Sequence, residues 1–287
     1  MGESRLLYTS AGTVEIMYIP GDLPPVLFFP GGHCSAASDC GWGMYSELGH
    51  GVLSFSRPGY GGTRVGQLSA AEFAPLTREV CEQLGISVIA ASVGVSFGGL
   101  QAACVAADRE NDVPRLILHS CAPSCLPYPD SRAEALLGPV VFSPLLQALV
   151  WRLVRGIVRS DSGLRLMMSN LSTLPVNQWW GLLGADDRTE ARALFNSMRS
   201  DSGFVNDLRQ GRARDVATRR SVIASVQCPT LVTGSPYDGG VDFVHAKDFA
   251  ETIPDATLIE LDSPSHIFWI GPQRAQLVST INSFINE

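Results

Sequence analysis

Residues 87–108 constrain the fold more tightly than any other stretch. The apolar, β-branched run Ser87–Val95 leads directly into Gly94-Val95-Ser96-Phe97-Gly98-Gly99, and the helical pattern Phe97–Asp108 starts without a spacer. A strand can turn into a helix this abruptly only where side chains are missing on both sides of the apex. Gly94 and Gly98, two residues either side of Ser96, provide that space. Ser96 would then take a strained backbone conformation, with its hydroxyl thrust out at the carboxyl edge of a sheet. The N–H of Phe97, at the N-terminus of the new helix, would point at the same spot. A phosphate-binding Gly-x-Gly-x-x-Gly turn does not fit, because position 96 is serine. Close packing without chemistry is the competing reading.

The rest of the chain fits a sheet that could hold such a turn. Val14–Tyr18, Val26–Phe29, Val52–Phe55, Val88–Val95 and Leu116–Leu118 read as short strands, apolar on both faces and punctuated by glycine or proline. Ser69–Leu84 reads as a helix opened by a Ser69/Glu72 capping box and ended by Gly85. The alternation stops near Pro123 and resumes with Thr230–Thr233, a helix around Phe243–Thr252, Thr257–Leu261 and a last helix from Pro272 to Phe284. This predicts an α/β fold with a mostly parallel central sheet and helices on both faces, formed by 1–122 and 220–287. Residues 123–219, with helical and loop patterns and no clear strand, are expected to be a helical cap inserted into it.

Composition removes several function classes. Of the 21 basic residues only Lys247 is a lysine, and it follows Ala246, so no Walker-type phosphate loop exists. The net charge is −7, a poor basis for gripping nucleic acid. The Arg209–Arg220 stretch contains Asp215, follows Asp207 closely and reads as a solvated helical face. The seven cysteines form no Cys-x-x-Cys pair, and no signal segment or membrane span is visible. A cytoplasmic protein with free thiols is expected. No His/Cys/Asp cluster has ligand spacing, so neither a metal nor a cofactor is expected.

A serine nucleophile needs a base, and the base needs an orienting acid. Of the five histidines only His266 lies in a loop directly after a late strand. Asp238 follows the preceding strand, 28 residues earlier, a spacing that leaves room for one helix and one strand. Asp242 and Asp262 compete with it, the first as a helix N-cap and the second as a surface residue. Gly32, after the strand Val26–Phe29, is the candidate second oxyanion donor beside Phe97, since glycine lets the backbone approach a substrate oxygen closely. His33 reads equally as a loop histidine satisfied by backbone and as a substrate contact.

On these residues the chain resembles the α/β-hydrolase-fold serine hydrolases. Phe29-Pro30-Gly31-Gly32 is similar to the oxyanion loop, and Ser56-Arg57-Pro58-Gly59-Tyr60-Gly61-Gly62-Thr63 to the Arg-Pro-Gly-Tyr-Gly turn. Gly94–Gly99 resembles the nucleophile elbow, Gly234-x-x-x-Asp238 the acid loop and Ser265-His266 the histidine loop. Pro30-Gly31 replaces the usual His-Gly, and Ser265-His266 the usual Gly-His; neither change removes a catalytic group. The resemblance implies a capped carboxylesterase or lactonase using Ser96, His266 and Asp238. Acyl transfer, cyclisation or a ligand receptor without turnover could share the scaffold. The aromatic residues Trp151, Trp179 and Trp180 of the insertion, with Phe268 and Trp269 below, predict an apolar pocket for a small, neutral ester. Trp179, Phe268, Trp269 and His33 are the expected substrate contacts.

Overall fold

The computed structural model describes residues 4–129, 132–143 and 145–287. Eight strands form one sheet: β1 (Ser4–Thr9), β2 (Gly12–Ile19), β3 (Leu23–Phe29), β4 (His50–Phe55), β5 (Ala91–Val95), β6 (Leu116–His119), β7 (Thr230–Gly234) and β8 (Ala256–Glu260). Their spatial order is β1-β2-β4-β3-β5-β6-β7-β8. The β1–β2 and β2–β4 pairs are antiparallel, and every pair from β4 to β8 is parallel. Period-2 alternation explains why the central strands are apolar throughout. Val26 and Phe28 of β3 face one core, whereas Leu27 and Phe29 face the other.

On one face pack α1 (Gly43–Glu47) and a C-terminal helix. On the other pack α2 (Ala70–Gln83), α3 (Gly98–Ala107) and the helix before β8. The capping box on α2 is formed: Ser69 Oγ accepts from Glu72 N, and the Glu72 carboxylate accepts from Ser69 N at 2.8 Å. Between β6 and β7 lie α4 (Arg132–Val141), α5 (Gln147–Ile157), α6 (Asp161–Ser169), α7 (Ala185–Ser197), α8 (Gly203–Gln210) and α9 (Val216–Ala224). Positions 130, 131 and 144 of the expected cap lie outside the described residues. The chain ends with α10 (Phe243–Thr252) before β8 and α11 (Arg274–Asn286) after it.

Three expectations need correction. The apolar run from Val88 pairs with its neighbour only from Ala91 onward, and Val88 is exposed. Hydrophobicity alone extended that strand into a loop. The helix around 219 continues to Ala224 and packs on α3 through Ile223, so the insertion merges into the sheet's helical layer past residue 219. Arg219 is not on a solvated face. It is buried and donates to the carbonyls of Ser124, Gln210, Arg212 and Leu126, tying the segment after β6 to the start of α9.

A buried ion pair fastens the insertion to the core. Arg57, in the loop after β4, makes a two-pronged contact with Asp207 of α8, and Tyr60 donates to Asp207 Oδ2 at 2.6 Å. Removing one partner of such a pair strands the other charge in a dry site, at a cost of about 3–5 kcal/mol.

Candidate active site

The turn after β5 has the geometry that its glycines predict. Ser96 has φ +52°, a left-handed conformation that non-glycine residues rarely hold. A Cβ on Gly98 would lie 1.9 Å from Phe29 O, and one on Gly94 would lie 2.6 Å from Gly99 Cα. Only glycine therefore lets α3 start so close to β3 and β5. Ser96 sits at the carboxyl edge of the sheet and lines a cavity of about 320 Å³ with His266.

His266 and Asp238 meet as expected. Asp238 Oδ2 lies 2.8 Å from His266 Nδ1, while Oδ1 accepts from the N–H groups of Gly240 (2.7 Å) and Val241 (2.9 Å). The carboxylate is thereby fixed by the backbone on one side and aimed at the imidazole on the other. Asp242 is the N-cap of α10, accepting from Val244 N at 2.9 Å, and Asp262 is exposed. Among the described residues, Ser96 Oγ has no hydrogen bond to His266; catalytic contacts of this kind often close only with substrate bound.

Burial works against the His266 cation, but the Asp238 carboxylate and its hydrogen bond outweigh it, so the imidazole pKa is raised above its ordinary 6.5. A raised native pKa favours the folded state most fully below the unfolded pKa, and that contribution fades as pH rises through the folded value.

A cross-link from the insertion was invisible in the sequence. Thr173 N donates to Tyr237 O (2.9 Å), Gly239 N to Leu171 O (3.1 Å), and His266 N to Leu171 O (2.8 Å). Residues 171–173 therefore clamp the acid loop and the histidine loop to each other. No motif marks such a segment, since the contacts are backbone to backbone.

The loop after β3 is oriented by Arg57. Its Nε donates to Pro30 O (2.9 Å) and its Nη2 to Gly31 O (3.1 Å). In a trans peptide the N–H points opposite to the C=O. Holding the Gly31 carbonyl toward Arg57 thus turns the Gly32 N–H the other way. Gly32 and Phe97 both line the cavity, and neither N–H has an acceptor among the described residues.

His33 also lines the cavity, ringed by Phe142, Trp151 and Phe204. Burial, then the nearby Arg57 charge, lowers its pKa to about 3, so it is neutral. Ser200 Oγ accepts from Trp151 Nε1 (2.8 Å) and lies 2.8 Å from His33 Nδ1. Ser200 is fully buried, and its hydroxyl hydrogen has no other acceptor among the described residues. Hydrogen-bond accounting therefore places the His33 proton on Nε2, as a donor without a protein acceptor.

Trp269 lines the cavity as expected, and so do Trp151 and Met167 of the insertion. Trp179 and Phe268 do not. Both are buried in the core cluster beneath, with Phe268 against His119, so they pack the insertion and the sheet rather than face the cavity. No helix among the described residues is long and apolar enough to cross a membrane.

A sequence profile of the alpha/beta hydrolase fold family matches residues 24–272. The chain belongs to that family. It is 30% identical over 280 residues to the uncharacterized hydrolase YcgS of Bacillus subtilis, covering 96% of each chain. An alpha/beta hydrolase fold protein from Nakamurella multipartita superposes with TM-score 0.73 at 22% identity, covering 99% of both chains. An esterase from Exiguobacterium antarcticum gives TM-score 0.68 at 17% identity, covering 99% of this chain and 100% of that one.

Proposed function

We propose that the protein is a serine hydrolase that cleaves a small, neutral carboxylic ester or lactone. The observation that carries this reading is the convergence of Ser96, on its strained turn, and the Asp238–His266 pair on one cavity. His266 takes the proton of Ser96 Oγ as Oγ attacks the ester carbonyl. Asp238 holds the proton on Nδ1, so that Nε2 is the free base, and stabilises the imidazolium. The Gly32 and Phe97 N–H groups stabilise the oxyanion. The intermediate collapses to an acyl-enzyme as His266 protonates the leaving alcohol, and water then releases the acid. The helical insertion acts as a cap, supplying Phe142, Trp151, Val154 and Met167 to the wall. A fluorophosphonate probe tests the reading: labelling of the wild type but not of Ser96→Ala is expected, and an unlabelled wild type overturns it.

Two further outcomes are expected. No Asp, Glu, Lys or Arg lines the cavity among the described residues, so a charged substrate group would lose water without gaining a partner. In matched esters differing only by a carboxylate on the acyl chain, the charged member will show kcat/KM lower by about tenfold or more. The pH profile of kcat/KM will have an acid limb above 6.5, because His266 must lose its proton to act. His33 adds no second limb in the working range, being neutral down to about 3.

A further inference from the structure

The helix α5, which lines the cavity with Trp151 and Val154, turns an unpartnered apolar face outward. Trp151, Val154 and Val158 of the α5 segment point inward and are buried, while Leu149, Leu153 and Ile157, at helical spacing on the opposite side, are exposed. Leu145 and Leu146, directly before α5, are exposed as well, the former 91%. More than half of the exposed large apolar side chains among the described residues fall between 136 and 157. Scattered apolar residues need no explanation, but an exposed apolar stripe along one helix face marks an interaction surface.

The charge on this face is opposite to that of the chain. Residues 132–160 carry Arg132, Arg152, Arg155 and Arg159 against the single acid Glu134, a local net charge of 4 − 1 = +3 in a protein of net charge −7. Arg152 and Arg159 are exposed and have no ion pair among the described residues, whereas Arg155 is half-buried with its Nη1 shielded from solvent. The nearest following acid, Asp161, is already engaged by Arg188 and Arg192. We propose that the outer face of α5, with the residues directly flanking it, docks on an anionic lipid surface. The leucines enter the acyl layer, and the arginines meet headgroup phosphates. A second copy of the chain fits less well. A two-fold contact sets the face against itself and brings unpaired arginines toward unpaired arginines. The inference rests on exposure and charge and stands apart from the hydrolase reading.

Co-sedimentation of the full chain with vesicles tests it, using Ser96→Ala so that no lipid is turned over. Each exposed arginine near an anionic surface strengthens binding roughly fivefold, so with Arg152 and Arg159 vesicles of equal phosphatidylcholine and phosphatidylglycerol should bind roughly 25-fold more tightly than phosphatidylcholine alone, with the preference falling in high salt. Adding Leu149→Ser and Leu153→Ser should remove most binding to both vesicle types while leaving circular dichroism and the melting temperature unchanged. Adding Arg152→Gln and Arg159→Gln should instead erase most of the anionic preference. No sedimentation with the anionic vesicles at low salt, or equal binding to both kinds, overturns the proposal. So does a stable dimer in light scattering that the two serine substitutions split, since a second copy would then cover the face.

Discussion

Replacing Ser96 by alanine will lower kcat for ester hydrolysis by about 10⁶, a loss of about 8 kcal/mol of transition-state stabilisation. The loss is this large because the other groups act only through Oγ. His266 has no other proton to accept, and the oxyanion donors can stabilise only what an attack creates. The same position offers a second reading of the site. Ser96 holds φ +52° in a turn bounded by Gly94 and Gly98, so the native state carries strain there. Ser96→Gly removes the nucleophile and the strain together. It is expected to be as inactive as Ser96→Ala yet about 1 kcal/mol more stable in urea unfolding. Near-wild-type turnover by purified Ser96→Ala, with protein-free controls blank, sinks the mechanism. An inactive glycine variant without a stability gain removes only the strain argument.

The parts of the site legible in the sequence are those whose chemistry is local. Ser96 is marked by flanking glycines within one turn, and His266 and Asp238 by their places just after β8 and β7. Asp242 was separable from Asp238 because a helix start wants an N-cap, and it does cap α10. The rest depends on contacts between distant segments. Arg57 and Asp207 are 150 residues apart, and nothing in either neighbourhood announces a pair that fixes both the loop after β3 and α8. Leu171 bridges the loops that carry Asp238 and His266 through its backbone carbonyl, which any residue type would supply. The aromatic residues show the same limit in another form. Trp151, Trp179, Phe268 and Trp269 are equally apolar, and which of them faces the cavity is set by helix register and by what packs behind. Phe268 and Trp269 are neighbours in the chain, yet only Trp269 lines the cavity.

Asp238→Asn will lower kcat by about 10⁴, whereas Asp242→Asn will change it little. The asymmetry comes from hydrogen-bond direction. In the wild type, Oδ2 accepts from His266 Nδ1, which keeps the proton there and Nε2 free. Oδ1 is already committed to the N–H groups of Gly240 and Val241, so an amide at 238 must keep its oxygen on that side. Its NH₂ then faces His266 and donates to Nδ1, which moves the imidazole proton to Nε2 and blocks the base. Asp242 makes its bond to Val244 N, at the start of α10, and an asparagine caps a helix about as well. The pH profile separates loss of catalysis from loss of fold. With the carboxylate gone, burial is the remaining large influence on His266, and it lowers the pKa. The residual activity of Asp238→Asn should therefore show its acid limb at lower pH than the wild type, a shift that misfolding cannot produce. If Asp242→Asn instead carries the large loss and the downward shift, the acid is Asp242, and the Asp238–His266 contact is only structural.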